Sequence, residues 1–354
     1  MKWLREVLVS GFVLALAVFA PAFPALRAQT LDTNDLWLEI ALTNSVAQTN
    51  YVVRTNNNVV RTNRNVKLTY YAVAFTIHPP ATNANGVYDL YFKTNLTDNQ
   101  DWTWLLRCPP GQPNLVVSNL PPAQSFFRLG VTNAIRPGFD QQILDRNDDG
   151  STGIVPMGFF INFFGSSNST LYVNNNGNVT FANPQSTYTP SALNSLKSGI
   201  IAPYWADVDT RNPASDVVKY GTNMVDGHAA FGADWVNVGY YNSEADKLLS
   251  CQLVIIDRSS DNAPGDFDME FNYFKVQWET GDASGGVDGL GGSSARAGYA
   301  SVSGSAFELP GSGVPGSFLD TNVATGLIYN STNSPVPGRY IFFFRNGQPW
   351  QPSP

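Results

Sequence analysis

The sequence predicts an all-β protein built from two antiparallel β-sandwich-like domains after a cleaved signal peptide. Short runs of alternating apolar and polar residues recur between clusters of Asn, Gly and Pro, which is the pattern of strands and turns. Aromatic residues make up 13% of the chain and charged residues only 14%, and almost no stretch keeps the 3.6-residue period of a helix. A length of 354 residues with 43% hydrophobic content is enough for two separate cores.

The first 28 residues predict a secretory signal peptide. They contain a positive start at Lys2 and Arg5, the apolar run Val7–Phe23 and an Ala-rich end before Gln29, which are the three parts of such a signal. An uncleaved membrane anchor is the alternative, but a glycine and a proline interrupt the run and it is short for a spanning helix. We therefore expect a secreted or cell-envelope protein that touches a membrane only if the signal is retained. The expected organisation is a signal peptide at 1–28, an N-terminal β-sandwich at 29–131, a linker at 132–140, a second β domain at 141–346 and a tail at 347–354.

Charge and cysteine content restrict the partners and cross-links of the chain. The net charge is −7 and the pI is about 4.8, and no cluster of Lys or Arg occurs. Nucleic acid is therefore not expected as a partner, because phosphate binding requires a basic patch. Cys108 and Cys251 fall in different predicted domains, so we expect them to remain unpaired.

Six short strands are predicted in the N-terminal domain, at the spacing of an antiparallel sandwich. The polar tract Arg54–Asn65 predicts a hairpin or long loop between the first two, and Pro137-Gly138 breaks regular structure in the linker. The strands are Trp37–Leu42, Val66–Ile77, Val87–Thr94, Trp102–Arg107, Leu115–Val117 and Phe126–Val131.

The second domain contains a strongly predicted hairpin over Leu171–Phe181. Asn176-Gly177 at its tip is the signal of a two-residue type I′ turn, which would place Tyr172 opposite Phe181. A short helical turn is expected near Ser191–Lys197. Further strands are predicted at Met157–Gly165, Ile200–Arg211, Val217–Tyr220, Ala229–Tyr241, Leu248–Arg258, Asp266–Trp278, Ala295–Val302 and Arg339–Phe344.

The strand Ile200–Arg211 separates into two faces when its side chains alternate with a period of two. One face is apolar, and the other carries the four candidate binding residues Trp205, Asp207, Asp209 and Arg211. Trp205 would be an exposed anchor for a partner or sugar, or would be covered by a neighbouring loop. Arg211 would neutralise the acids as a surface ion pair. Pro203 predicts an edge position or a bulge in this strand.

An acidic loop near the start of the second domain is a candidate calcium site. Asp145, Asn147 and Asp149, followed by Gly150, match the opening D-x-N-x-D-G of a calcium loop. The twelfth position is Pro156, where such a loop needs a bidentate Glu. Acid-rich turns of this kind also fold without a metal, and the sequence leaves both interpretations open.

A second acidic group consists of Asp207 and Asp209, joined by Asp268 or Glu270 if their strands are neighbours. It is a candidate for a cation or for a glycoside hydrolase, because carboxylates two residues apart on a strand lie about 7 Å apart. Only two histidines occur, and no nucleophile elbow, zinc-protease or nucleotide-loop motif is present. We expect a protein that is not an enzyme, with a secreted carbohydrate-active enzyme or its accessory module as the alternative.

Eight segments of the second domain form a recognisable pattern in their order and spacing: Asp148–Ser151, Leu171–Phe181, Ile201–Arg211, Gln252–Arg258, Asp266–Tyr273, Val276–Glu279, Gly298-Tyr299 and Glu308–Gly313. Through these segments the second domain resembles the NIDO, or nidogen-like extracellular, domain over about residues 141–344. The resemblance implies a secreted β-rich module associated with cell–matrix adhesion, with an extracellular matrix or envelope polymer or protein as partner and no catalytic residues. The chain lacks the Cys-rich modules that accompany the domain in animal proteins, and we expect a bacterial secreted type.

Overall fold

The computed structural model describes two compact units that divide between Thr132 and Asn133. The predicted signal peptide lies outside the described residues. Nearly all of the regular structure is strand, and every pair of neighbouring strands in the four sheets is antiparallel. The all-β, antiparallel fold class is therefore confirmed. The described residues are 37–56, 59–78, 88–93, 102–108, 114–120, 126–130 and 133–352.

The first unit consists of two three-stranded sheets. Phe75 and Phe127, one from each sheet, meet edge to face with ring centroids 4.9 Å apart, and Leu90 and Cys108 are buried beside them. The first two strands form one long hairpin that pairs from Trp37 with His78 to Asn56 with Val59. The strands are β1 (Trp37–Asn56), β2 (Val59–His78), β3 (Tyr88–Lys93), β4 (Thr103–Cys108), β5 (Asn114–Leu120) and β6 (Phe126–Gly130), in the sheet orders β1-β2-β5 and β4-β3-β6.

The second unit consists of one eight-stranded and one six-stranded sheet. The larger sheet has the order β20-β19-β16-β15-β14-β13-β7, with β12 also paired to β14, and the smaller has the order β18-β17-β11-β10-β9-β8. The strands are β7 (Gln142–Ile143), β8 (Val155–Phe163), β9 (Ser166–Asn174), β10 (Asn178–Thr180), β11 (Ile200–Trp205), β12 (Val208–Asp209), β13 (Lys219–Val225), β14 (His228–Tyr240), β15 (Glu244–Asp257), β16 (Phe267–Val276), β17 (Arg296–Ala300), β18 (Ala306–Glu308), β19 (Arg339–Arg345) and β20 (Gln348–Trp350).

Aromatic side chains pack between these two sheets. Phe163 of β8 lies 5.4 Å from Phe344 of β19 between ring centroids, and Tyr299 of β17 lies 5.7 Å from Phe342. Tyr273 of β16 donates its hydroxyl hydrogen to the carbonyl of Pro203 at 2.6 Å. The second unit is thus a two-layer sandwich whose interior contains many aromatic side chains among the aliphatic ones.

The other face of the eight-stranded sheet is also buried, and it combines acidic residues with a small apolar cluster that contains Phe139, Val254 and Ile256. Asp268 and Glu270 of β16 are 4% and 2% exposed, although alternation of the strand predicts that they face outward. Arginine side chains cover them: Asp268 binds Arg258 and Arg345, and Glu270 binds Arg136, each at 2.6–2.7 Å. Residues 133–139, which we expected to form a linker, lie against this unit, with Ala134 and Phe139 buried.

The segment Ile200–Arg211 was predicted to form one strand, but the structure contains two. Its first part, β11, pairs with β10 and β17 in the smaller sheet, and its second part, β12, pairs with β14 in the larger sheet. The register of β11 is interrupted between Ala202 and Trp205, so the irregularity expected at Pro203 is confirmed. Because the chain crosses from one sheet to the other here, residues 200–210 of both predicted faces are buried, and Arg211 is the exposed end of the segment.

The hairpin formed by β9 and β10 differs from the prediction by one residue. Tyr172 pairs with Thr180 rather than with Phe181. A type I′ turn requires positive φ at two residues, but in this loop only Gly177 has it, at 73°. The loop therefore has three residues, 175–177, with glycine in the left-handed position.

Two further predictions concern single features of the chain. Cys108 and Cys251 are both buried and free, as expected, and burial raises the pKa of the Cys108 thiol to about 12. A 3₁₀ turn at Leu193–Ser195 confirms the short helical turn. In the part of the chain that the structure describes, no helix is long and apolar enough to span a bilayer.

Candidate metal centre

The acidic loop Asp145–Gly150 is held in shape by Asn147. Its side-chain oxygen accepts a hydrogen bond from the Gly150 amide at 2.6 Å, and its side-chain nitrogen donates to the Asp145 carbonyl at 2.6 Å. Thr210, just after β12, accepts from the Asn147 amide through Oγ1 at 3.0 Å. Because both polar atoms of the Asn147 side chain take part in the turn, the loop residues that could hold a metal are Asp148 and Asp149.

The asparagines at the β9–β10 hairpin tip fasten this loop to the sheet crossing. Asn175 Nδ2 donates to the carbonyls of Asp148 at 2.5 Å and Val208 at 2.6 Å. Asn176 Oδ1 accepts from the Val208 amide at 3.0 Å, and its Nδ2 donates to Asp149 Oδ1 at 2.8 Å. Both side chains are fully buried. Loop, hairpin tip and crossing therefore form one hydrogen-bonded body.

Three carboxylates converge at this junction. Asp148 and Asp149 come from the loop, and Asp207 comes from the crossing between β11 and β12. One oxygen of each carboxylate lies within 4.8 Å of the others. We refer to Asp148, Asp149 and Asp207 as the aspartate cluster.

Several polar atoms in and beside the aspartate cluster are buried without a hydrogen-bond partner among the described residues. They are Asp148 Oδ1, Asp207 Oδ2 and Asn175 Oδ1. Asp207 is only 1% exposed, and Gly281 approaches it so closely that a Cβ there would collide with Oδ2. Buried acceptors are almost always paired in folded proteins, so this group of three is a local exception.

The pKa values of these carboxyls reflect burial and mutual repulsion. Burial, reinforced by Asp148, Asp149 and Asp209, raises the pKa of Asp207 to about 7. Burial and the charge of Asp209 raise the pKa of Asp148 to about 6, against the attraction of Arg211. The fold thus places the three acidic groups close together, and the positive charge of Arg211 offsets their mutual repulsion only in part.

Asp209 has the opposite environment. Its burial opposes ionisation, but hydrogen bonds from Arg211 and from the Ser243 amide together outweigh it and lower the Asp209 pKa. Arg211 binds Asp209 through Nε at 2.9 Å and also approaches Asp148 Oδ2 at 3.1 Å. The ion pair expected between Arg211 and the acids therefore forms, although Asp209 is fully buried.

The structure brings only part of each predicted group together. Asp149 and Asp207 join the aspartate cluster, whereas Asp145 is exposed and Asn147 closes the turn. Asp268 and Glu270 lie on the larger sheet with their own arginines. Trp205 is fully buried and donates its indole N–H to the Thr187 carbonyl at 2.8 Å, so it presents no surface to a partner.

Sequence reasoning did not indicate Asp148 as a candidate for the metal centre, nor Asn175, whose side-chain nitrogen donates to the Asp148 carbonyl. The only signal in the sequence is the run Asn174–Asn176 before Gly177, which contains more asparagines than a turn needs. The aspartate cluster contains no histidine or cysteine, so its candidate ligand atoms are carboxylate oxygens. Such a donor set suits a hard cation such as Ca²⁺ or Mg²⁺ rather than zinc.

The sequence of the chain is similar to those of known proteins named alpha-tectorin and nidogen. The chain is 34% identical to mouse (Mus musculus) alpha-tectorin over 220 residues, covering 55% of this chain and 10% of that protein. It is 27% identical to nidogen of Drosophila melanogaster over 221 residues, covering 55% of this chain and 15% of that protein. The chain thus spans a small fraction of the length of these relatives, and no solved structure matches it significantly. Residues 169–346, half of the chain, match the nidogen-like domain, and the chain belongs to that family.

Proposed function

We propose that the chain is a secreted binding and adhesion protein that contacts an extracellular matrix or envelope polymer or protein. The observation that carries the proposal is membership in the nidogen-like family over residues 169–346. The resemblance to that family implies cell–matrix adhesion, and relatives named alpha-tectorin and nidogen each match 55% of the chain. Specific ligands follow from none of these matches, since the chain covers 10–15% of those proteins.

The environment of the acids supports binding rather than catalysis. A glycoside hydrolase needs two carboxyl groups that face a sugar, one of them positioned to protonate it. Asp207 is 1% exposed, and Asp268 and Glu270 are almost as buried and paired with arginine. Asp209 is held by Arg211. None of these four carboxyls is free to reach a polymer without a rearrangement.

A retention assay separates adhesion from the alternative of a carbohydrate-active enzyme. The purified chain is incubated with beads carrying extracellular polysaccharide and with beads carrying matrix protein, and released reducing sugar is measured in parallel. We expect retention without release. Asp207→Ala is compared with Asp145→Ala, whose carboxylate is exposed and lies outside the aspartate cluster. Sugar release that is lost in Asp207→Ala but kept in Asp145→Ala would contradict the proposal, as would a lack of retention on both supports.

A further inference from the structure

We propose that the aspartate cluster of Asp148, Asp149 and Asp207 binds one calcium ion. This inference does not depend on the adhesion proposal, because it concerns an ion site defined by residues of this chain alone. It also differs from the calcium loop expected from the sequence. Asp149 is common to both sets, Asp148 takes the place of Asp145 and Asn147 in the loop, and the third ligand, Asp207, comes from the sheet crossing.

The spacing of the three carboxylates fits a single calcium ion. Calcium binds oxygen at about 2.3–2.6 Å, so two oxygens on one ion lie at most about 5 Å apart. The three carboxylate oxygens lie within 4.8 Å of one another. Asp149 already uses Oδ1 for Asn176, which leaves its Oδ2 for the ion. Asp207 thereby supplies a carboxylate in place of the one that a calcium loop has at its twelfth position, where this chain has Pro156.

The unpaired buried oxygens are an independent indication of a ligand. Asp207 Oδ2 and Asp148 Oδ1 are buried and accept no hydrogen bond from any described residue. The amide of Asn175 adds a third such atom: its nitrogen is oriented by the carbonyls of Asp148 and Val208, which leaves Oδ1 as an unused acceptor beside the same loop. A cation would satisfy carboxylate oxygens that no donor of the described chain reaches.

The charge balance also favours a divalent cation. The cluster and the adjacent Asp209 carry four carboxylates, and Arg211 is the one cationic side chain of the described residues that contacts them. An excess of three negative charges would therefore remain if all four ionised. Asp148 and Asp149 are partly exposed, which gives the ion a route in and leaves room for water ligands.

Calcium fits better than magnesium at this site. Magnesium requires near-ideal octahedral geometry at about 2.1 Å and usually keeps several waters, whereas calcium accepts irregular sets of carboxylate and amide oxygens. Here the donors are fixed by a loop, a hairpin and a crossing that are already bonded to one another. We infer that bound calcium ties the loop Asp145–Gly150 to the crossing between the two sheets.

Titration of the purified chain with CaCl₂ tests the site. Heat of binding and melting temperature are measured up to about 10 mM, which covers the affinities of extracellular calcium modules. Asp207→Asn and Asp149→Asn remove charge with little change of shape, and Asp149→Asn also keeps the acceptor for Asn176. Asp145→Asn is the matched control, because it lies in the same loop but outside the cluster.

We expect calcium to raise the melting temperature of the unaltered chain and of Asp145→Asn. The two cluster variants should bind calcium at least about tenfold more weakly. The proposal fails if the unaltered chain shows neither heat nor a shift in melting temperature, or if both cluster variants bind as it does. Equal or tighter binding of MgCl₂ would overturn the assignment of calcium. Because no polymer is present, the result is separate from that of the retention assay.

Discussion

Asp207 and Asp209 lie two residues apart and are both buried, yet the pKa values of their carboxyl groups are shifted in opposite directions. The pKa of Asp207 is raised to about 7 by burial and by neighbouring acids, whereas hydrogen bonds from Arg211 outweigh burial and lower the pKa of Asp209. The difference arises because Arg211 reaches Asp209 with two nitrogen atoms. Arg211 thus neutralises Asp209, whereas Asp207 keeps a buried oxygen without a hydrogen-bond donor among the described residues. Asp207 is therefore available to the proposed calcium ion.

Replacement of Arg211 by Ala should destabilise the fold measurably. Asp209 would keep the Ser243 amide as a donor but would lose its guanidinium partner. A buried charge deprived of its partner costs about 2–3 kcal/mol in free energy of unfolding, which urea denaturation measures. Lys247→Ala is the control, because the Lys247–Asp246 pair is exposed and such pairs contribute under about 1 kcal/mol. Equal effects of the two substitutions would show that Asp209 does not need Arg211.

Gly177→Ala should be far more costly than Gly158→Ala. Both glycines have positive φ, 73° and 89°, so both substitutions carry the left-handed strain of about 1–2 kcal/mol. A Cβ at 177 would also collide with the Tyr204 carbonyl, whereas a Cβ at 158 meets nothing within 4 Å. We expect a difference of at least about 2 kcal/mol in the free energy of unfolding. Similar losses would mean that the hairpin tip does not press against β11.

Asp234, on the larger sheet, should make stability depend on pH. Burial raises its pKa to about 7, against a hydrogen bond from Gln252. Between about pH 4 and pH 7 the folded protein keeps this proton while the unfolded chain loses it, so stability falls as pH rises through that window. Asp234→Asn mimics the protonated acid at every pH and should remove this part of the decline.

The measurement is the difference in unfolding free energy between Asp234→Asn and the unaltered chain from pH 4 to pH 8. The difference should be small at the acidic end and grow by a few kcal/mol in favour of the variant, since one pKa unit corresponds to about 1.4 kcal/mol. A constant difference across the range would contradict the raised pKa.

The fold was largely predictable because strand periodicity and turn residues are local signals. Most longer strands of the second unit and the irregularity at Pro203 follow from such patterns. The first two strands were predicted as the short runs Trp37–Leu42 and Val66–Ile77 but are 20 residues each, and the short strands β7, β18 and β20 were not predicted. The division of Ile200–Arg211 between two sheets did not, because a crossing preserves the alternation of a strand while changing its hydrogen-bonding neighbours. The burial of Asp268 and Glu270 was not predictable either, since Arg345 and Arg136, which help to cover them, lie far away in sequence.

The candidate metal centre was predictable only in part, because it also depends on contacts between residues that are distant in sequence. The sequence indicates an acidic loop at Asp145–Asp149 and acids at Asp207 and Asp209, but not that the two regions meet. Nor does it tell which loop residues point to the junction, because the turn made by Asn147 decides this. The ligand set therefore emerges from tertiary contacts made by Asn175 and Asn176.

The most direct test of the cluster is a crystal structure of the chain grown with calcium and measured for anomalous scattering. We predict one anomalous peak at about 2.3–2.6 Å from an oxygen of each of Asp148, Asp149 and Asp207, and its disappearance in Asp207→Asn crystals. A peak bound instead by Asp145 and Asn147, or none at this junction at saturating calcium, would contradict the account.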